Sequence, residues 1–324
     1  MSILISVVVC TFNRANMLAA ILQSLCKQSI ETSEYEVVIV DNNSTDNTRE
    51  VVDEFCRRFS HVRYCFEPQQ GLSCARNRGW HEAKGDYVAY TDDDCKLPEQ
   101  WLEVAKEIIE QVSPDIFGGP YYAFHTTPKP RWFKDSYGSH ELDKKARTLQ
   151  ENEYLDGANI FLRRSLIESL GGFDTSLGMS GTRVGYGEET ALLQLIRTME
   201  PAQLVYFDPR LYVYHLVAPQ KMSMYWIIRQ RFAAGRYSFR TFQGGNPLPL
   251  GRVQLIAAVM FALFELVGDS ARGVFRRDRA QYPYPQNFFY EESFRHLQKL
   301  GMLYEQYRQM AQESEDQGLE RKVI

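Results

Sequence analysis

The sequence predicts an α/β fold, a mostly parallel sheet flanked by helices and followed by a C-terminal helical extension. Three observations predict it. The N-terminal third alternates short β-branched runs with amphipathic helical stretches, the order of strands joined by crossover helices. Those runs are nearly continuously apolar, as in strands buried on both faces. From Tyr225 onward the pattern is helical, with a break at Gly244–Gly251.

The elements follow in order. Ile3–Val9 reads as the first strand, and Ala15–Lys27 as a helix with Leu18, Ile21, Leu22 and Leu25 at helical spacing. Glu36–Val40 is a second strand, closed by the turn Asn42-Asn43-Ser44-Thr45-Asp46, and the helix Asn47–Phe59 carries Val51, Val52 and Phe55 on one face. Val62–Phe66 is a third strand, Gly71–Ala83 a helix, and Tyr87–Tyr90 a fourth strand that runs into Asp92-Asp93-Asp94. Pro98 suits a first helical turn, so Glu99–Gln111 is a helix, and Asp115–Phe124 reads as one strand. His125–Gln150 has no clear period and reads as a long binding loop. Tyr154–Leu162 is a strand, Ser165–Leu170 a helix stopped by Gly171-Gly172, and Glu188–Met199 a further helix. Leu204–Phe207 and Leu211–His215 are short strands. Ligands on such sheets bind beyond the carboxyl ends of the strands, where the polar clusters of this sequence fall.

At 324 residues, 44% hydrophobic and 13% aromatic, the chain can bury a large core as one large domain or two fused lobes. Its formal net charge of −4 argues against nucleic acid as a general partner. The average hides an asymmetry, because Tyr225–Ala280 holds nine arginines, no lysine and three acids, a net of +6 against −10 elsewhere. The six cysteines (10, 26, 56, 65, 74 and 95) lack metal-ligand spacing and read as small buried hydrophobes. The sequence enters its first strand with no basic n-region or cleavage site, so a reducing, cytoplasmic location is expected.

Asp92-Asp93-Asp94 is the sharpest chemical feature. Adjacent carboxylates repel one another, so the group is either a fully solvated turn or a cation site. A hard divalent ion keeps several waters and takes one or two carboxylates plus substrate phosphates, which suits a metal bridging a diphosphate to the protein.

The triplet stands in a series. Val9-Cys10-Thr11-Phe12-Asn13-Arg14, Val38 to Asp46, Gly71 to Gly79 and the triplet occur in the order found in family 2 glycosyltransferases of GT-A fold. Gly171-Gly172-Phe173-Asp174 and Gly185-Tyr186-Gly187-Glu188-Glu189 match that family's acceptor half. The chain thus resembles this family over about 215 residues in the right order. The resemblance implies a GT-A catalytic domain over 1–220, with a donor half (1–120) and an acceptor half (121–220), and a helical extension over 221–324. It implies transfer from a nucleotide diphosphate sugar, UDP-linked, to a hydroxyl of a saccharide or lipid-linked acceptor, with inversion and with Mn²⁺ or Mg²⁺ as cofactor. Bacterial polysaccharide or glycoconjugate assembly is the setting it brings to mind.

Carried over by position, Thr11, Asn13, Arg14, Asp41 and Asn42 are expected around the nucleobase and ribose, and Arg76 and Asn77 at the base or diphosphate. The family commonly has two acids where this chain has Asp41-Asn42, which weakens the assignment of the base. Asp92 and Asp94 are the outer members of the family's Asp-X-Asp motif. Asp94 is expected on the metal, Asp92 on ribose and metal, and Asp93 beside the donor. His215 resembles a late histidine near the metal. Glu188-Glu189 stands where the family has its acidic pair, with Glu189 expected as general base and Glu188 as the alternative; a helix-capping role would also place acids there. Asp156 and Gly157 match the strand beneath the acceptor, where a small residue leaves room for a sugar, and Trp132 is a candidate to stack on an acceptor ring.

A nucleotidyltransferase making a nucleotide sugar also uses a parallel sheet and paired acids. It normally needs a glycine-rich basic loop after the first strand, which Cys10-Thr11-Phe12-Asn13-Arg14 is not. No GxGxxG follows that strand, against a dinucleotide enzyme. Val253–Val267 is apolar except for Gln254 and Glu265 and is flanked by arginines. It reads either as a core helix or as a patch making peripheral membrane contact through 250–280, on the inner face of the plasma membrane.

Overall fold

The computed structural model describes residues 3–181, 184–200, 202–241 and 250–320. Most of the expected break at Gly244–Gly251 lies outside them. The chain groups into two compact units, one of Met1–Thr126, Lys134–Arg183 and Glu188–Val217, the other of Thr127–Phe133, Val184–Gly187 and Ala218–Ile324.

The first unit contains, in chain order, β1 (Ile5–Thr11), α1 (Ala15–Leu25), β2 (Tyr35–Asp41), α2 (Thr48–Arg58), β3 (Val62–Phe66), α3 (Leu72–Glu82), β4 (Tyr87–Asp92) and β5 (Cys95–Lys96). It continues with α4 (Trp101–Gln111), β6 (Ile116–Gly118), β7 (Tyr121–Phe124), β8 (Arg147–Thr148), β9 (Ile160–Arg163), α5 (Arg164–Leu170), α6 (Glu188–Met199), β10 (Val205–Phe207) and β11 (Val213–Leu216). Eight strands form one sheet in the order β3-β2-β1-β4-β9-β6-β10-β8, and β5-β11-β7 form a second. Within the large sheet β1–β4 are mutually parallel, while β9 runs antiparallel to both β4 and β6. The sheet is therefore mixed, with the N-terminal strands β1–β4 parallel as expected.

Alternation along the strands places core on both faces. Val7, Val9, Val37 and Ile39 pack with Leu18, Leu22, Trp101 and Ile108 from α1 and α4. Val8, Val38 and Val40 pack with Ala75, Trp80, Leu192 and Ile196 from α3 and α6. Continuous β-branched runs were required because neither face of these strands meets water.

Two strand assignments are corrected. The run Asp115–Phe124 divides into β6 and β7, which belong to different sheets. The division falls at Gly119-Pro120. A Cβ at Gly119 would stand 1.8 Å from the Leu211 carbonyl oxygen, and Pro120 has no N–H to give a ladder. The run Tyr154–Leu162 forms a strand only from Ile160. Before it, Asn159 N–H donates to the Asp156 carbonyl (3.0 Å) and Ala158 N–H to the Asp156 carboxylate (3.0 Å), which turns the chain. The loop 125–150 contains a 3₁₀ turn at Asp135–Gly138 and the short edge strand β8.

The second unit is helical: α7 (Met224–Thr241), α8 (Arg252–Phe275), α9 (Pro285–Phe288) and α10 (Arg295–Glu320). Gly235 and Gly301 let α7 and α10 approach closely, since a Cβ at either would meet a carbonyl oxygen of the other helix, Gln298 at 1.9 Å or Phe232 at 2.1 Å. Buried Glu305 of α10 then accepts from Arg236 Nε (2.8 Å) and Arg240 Nε (2.7 Å) of α7.

Candidate active site at the strand ends

The β1–α1 and β2–α2 turns are tied to each other. Asn13 adopts a positive φ of 52°, which asparagine tolerates. Its side-chain oxygen accepts from Thr45 N–H (2.7 Å), and its own N–H donates to Ser44 Oγ (2.9 Å). Asp46 accepts from Ala15 N–H (3.1 Å) at the start of α1 and from Thr48 N–H (3.1 Å) at the start of α2. Asp41 is buried and accepts from Ser44 N–H and Tyr64 Oη, each at 2.9 Å. Asn42 donates to the carbonyls of Glu67 and Gln69 and accepts from Gly71 N–H (2.7 Å). Its amide shapes the loop that leads into α3. Asn13, Asp41 and Asn42 were expected around a nucleobase and ribose; in the structure their side chains hold these turns and the loop into α3.

At the end of β4 the three aspartates divide. Asp93 is buried, with Oδ2 accepting from Thr11 Oγ1 (2.8 Å) and Oδ1 from Arg14 Nη1 (2.7 Å). Burial pushes its carboxyl up to about 6, against the pull of Arg14. Arg14 Nη1 also donates to Asp94 Oδ2 (3.1 Å). Asp92 and Asp94 meet His215 instead, whose Nε2 lies 3.5 Å from Asp92 Oδ2 and 3.3 Å from Asp94 Oδ1. One ligand atom from each of Asp92, Asp94 and His215 lies within 4.8 Å of the others. The small sheet makes this meeting, because β11 pairs antiparallel with β5 and sets His215 opposite Cys95, directly after the triplet. Leu216 N–H donating to the Asp94 carbonyl (3.1 Å) locks the register. Two carboxylates and an imidazole fit a six-coordinate divalent ion that keeps open positions.

A second acidic group lies at the start of α6. Arg76 of α3 is buried, and its Nη1 lies 2.8 Å from Glu188 Oε1 and 3.0 Å from Glu189 Oε1. The Glu188 side chain is 5% exposed and that of Glu189 19%. Burial and the neighbouring Glu189 charge push the Glu188 carboxyl up to about 8, with Arg76 opposing. Asp156 is also raised, by burial first and then by the charges of Glu189 and Asp92. It therefore senses both acidic groups, as does Arg76, whose charge is favoured by Glu189, Glu188 and Asp92 against burial.

Three further candidates have the following surroundings. A Cβ at Gly157 would stand 2.0 Å from Glu189 Oε1 and 2.3 Å from Arg76 Nη2. The missing side chain makes room for the Arg76–Glu189 pair. Asn77 has its amide on the backbone of Phe173, donating to the carbonyl and accepting from the N–H, each at 2.8 Å, and braces that segment. Trp132 lies in the segment grouped with the C-terminal unit, where its carbonyl accepts from Asn287 Nδ2 (2.6 Å). Sequence reasoning missed the part of Arg76 as counter-ion to Glu188 and Glu189. The only signal was an arginine inside the Gly71–Gly79 motif.

The glycosyl transferase family 2 model matches residues 6–171, half of the chain. Glycosyltransferase AglE of Haloferax volcanii is 29% identical over 178 residues, spanning 55% of this chain and 58% of AglE, so the chain covers less than two thirds of that relative. The glucosyl-dolichyl phosphate glucuronosyltransferase of the same organism is 27% identical over 243 residues, 73% of this chain and 76% of the relative. Among solved structures, the mannosyltransferase PcManGT from Pyrobaculum calidifontis, in complex with GDP-Man and Mn²⁺, is similar in fold. Its TM-score is 0.59 at 18% identity, over 94% of this chain and 85% of that one. The matched stretch runs from the first strand through the acidic triplet to Gly171, and the chain belongs to the family 2 glycosyltransferases of GT-A fold.

Proposed function

We propose that this protein transfers a sugar from a nucleotide diphosphate sugar, UDP-linked in our reading, to a hydroxyl of a saccharide or lipid-linked acceptor, with inversion. The observation that carries the reading is the pairing of two acidic groups in one unit, a trio with the donor set to hold a metal ion and a partly open glutamate beside a buried arginine. Asp92, Asp94 and His215 would hold Mn²⁺ or Mg²⁺, which when bound neutralises charge on the leaving diphosphate. PcManGT, solved with a nucleotide sugar and Mn²⁺, supports this donor class and cofactor.

Arg14, donating to both Asp93 and Asp94, fixes these carboxylates at the end of β4, where Asp94 would take its place on the ion. Glu189 takes the proton of the acceptor hydroxyl as that oxygen attacks the anomeric carbon. Glu188, buried and inclined to stay protonated, limits the negative charge around Arg76 and leaves the basic role to its neighbour. The name of the dolichyl phosphate relative supports a lipid-linked acceptor, and we extend the reading to peripheral membrane contact through 250–280.

The test is a panel of UDP- and GDP-sugars with and without Mn²⁺, read by thermal stabilisation and by the phosphate product. A true donor raises Tm in a metal-dependent way. Release of a nucleoside diphosphate supports the transferase, whereas release of pyrophosphate from a nucleoside triphosphate would replace it with a nucleotidyltransferase.

A further inference from the structure

Helix α8 exposes apolar side chains on its outer side and holds its acids against α10. Within the C-terminal unit its buried positions are Leu255, Ala262, Asp269 and Gly273. Its acids face α10: Asp269 Oδ2 lies 2.9 Å from His296 Nε2 and 3.2 Å from Arg295 Nη2, and Glu265 Oε2 lies 3.5 Å from His296 Nδ1 and from Lys299 Nζ. Val253, Ile256, Met260, Phe264 and Val267 recur at three- and four-residue spacing on the opposite side, and all are exposed. Val253 is 80% exposed, Phe264 76%, and Phe275 at the end of the helix 82%. A helix of a water-soluble surface shows the reverse arrangement, apolar inward and charged outward. A contiguous exposed apolar stripe of this length marks a surface that meets another apolar phase.

We propose that α8 lies in the plane of an anionic lipid bilayer, with its outward stripe sunk among the acyl chains. The inference deepens, and rests on, the membrane contact proposed above. Two features choose a bilayer. Arg252 stands at one end of the helix and exposed Arg276 and Arg279 at the other, in the stretch with a net charge of +6. A pair of identical copies would have to bring these like charges together, whereas an anionic leaflet neutralises them. On the same helix a cavity of about 410 Å³ is lined by hydrocarbon from Phe232, Leu255, Val259, Met260, Leu263 and Leu303, a lining matched to an acyl chain.

The orientation follows from the buried pairs. Arg252–Phe275 is long and apolar enough to cross a membrane by length and composition. A spanning helix, however, would carry Glu265, Asp269 and their α10 partners into hydrocarbon, at high cost. Lying flat keeps those pairs out of the lipid and buries only the outward stripe. At 1.5 Å per residue the stripe from Val253 to Val267 runs about 21 Å along the surface.

The experiment is flotation of the intact chain, without any nucleotide sugar, on phosphatidylcholine vesicles with and without phosphatidylglycerol. Binding that requires phosphatidylglycerol and weakens with salt is expected. A Met260→Glu, Phe264→Glu double variant should lower vesicle partitioning by about tenfold or more. Arg276→Glu with Arg279→Glu should remove the dependence on phosphatidylglycerol. Should the double variant unfold by circular dichroism, Phe264→Ser gives the same reading at lower risk. If the parent floats and the stripe variants float equally, membrane contact stands and the assignment to α8 is overturned. A parent that never floats at low salt overturns both, and leaves sugar transfer to a soluble acceptor to be judged by its own assay. A solution dimer by light scattering that Phe264→Glu dissociates would make the stripe a protein interface and overturn the proposal.

Discussion

The acidic groups at the end of β4 and the start of α6 share a plan and differ in depth. In each, one carboxylate is buried against an arginine while its neighbour remains more open: Asp93 on Arg14 beside Asp92, and Glu188 on Arg76 beside Glu189. The Arg14 side chain is 42% exposed, whereas that of Arg76 is 3% exposed. Burial accordingly raises Asp93 only to about 6, while burial and a second glutamate raise Glu188 to about 8. Depth separates the two kinds of chemistry. At Asp93 the Arg14 charge works against burial and favours the ionised carboxyl. Burial and a second acid favour a held proton on Glu188, with Arg76 opposing, as a site of proton transfer requires.

The largest effect that can break this comparison is at the triplet. Asp94→Ala removes a ligand from the proposed ion and a partner of Arg14, and turnover should fall by about 10³-fold or more. Mn²⁺ titration of Tm should lose its response in the same variant. Full activity of Asp94→Ala in a chelator would end the metal assignment.

Next comes the choice between the glutamates. Glu189→Gln should lower turnover by about 10²-fold or more with donor affinity unchanged, the scale of a lost general base. Single-turnover kinetics with a separate donor-binding measurement distinguish the two. If Glu188→Gln is instead the inactive, well-folded variant, the roles of buried and open acid are exchanged.

A smaller loss is expected from Gly157→Ala. The added methyl would stand 2.0 Å from Glu189 Oε1, so Glu189 and Arg76 must move apart. Misplacing a catalytic group by about 1 Å costs up to about 10²-fold. The effect should fall on kcat rather than on donor KM. An unchanged kcat would mean that the acids tolerate displacement and that their geometry is not what limits turnover.

Much of the fold was legible because it rests on local periodicity. Val62–Phe66 and Glu188–Met199 have the bounds expected of them, since each is closed by a clear polarity change. The division of Asp115–Phe124 was written in Gly119-Pro120, but its cause is a carbonyl of Leu211, distant in sequence. The site shows the same limit. The acids were visible as a triplet and a pair, whereas their counter-ions arrive from far away in sequence, Arg14 to Asp93 across 79 residues and Arg76 to Glu188 across 112. Composition marked Val253–Val267 as apolar and left open which way its side chains point. The outward stripe depends on the partners that α10 offers to Asp269 and Glu265.

The smallest expected effect, on stability rather than rate, sharpens the comparison most. Glu188 moves from an ordinary carboxyl value of 4.5 to about 8 in the folded protein. The folded state then binds a proton that the unfolded chain has already released, so stability falls as pH rises between those values. The contribution is fully present below 4.5 and lost as pH passes through about 8. Glu188→Gln keeps a neutral group of similar shape at every pH, so its Tm should decline less steeply than the parent's over this window. Some slope should survive, because Asp156 is raised in the same direction by burial and by Glu189. Adding Asp156→Asn should flatten it further. Tm by differential scanning fluorimetry, in metal-free buffer with the donor absent, isolates the acids from ligand binding. Parallel Tm curves for parent and Glu188→Gln would show that Glu188 is ionised in the folded protein, and the contrast in depth between Asp93 and Glu188 would lose its chemical meaning.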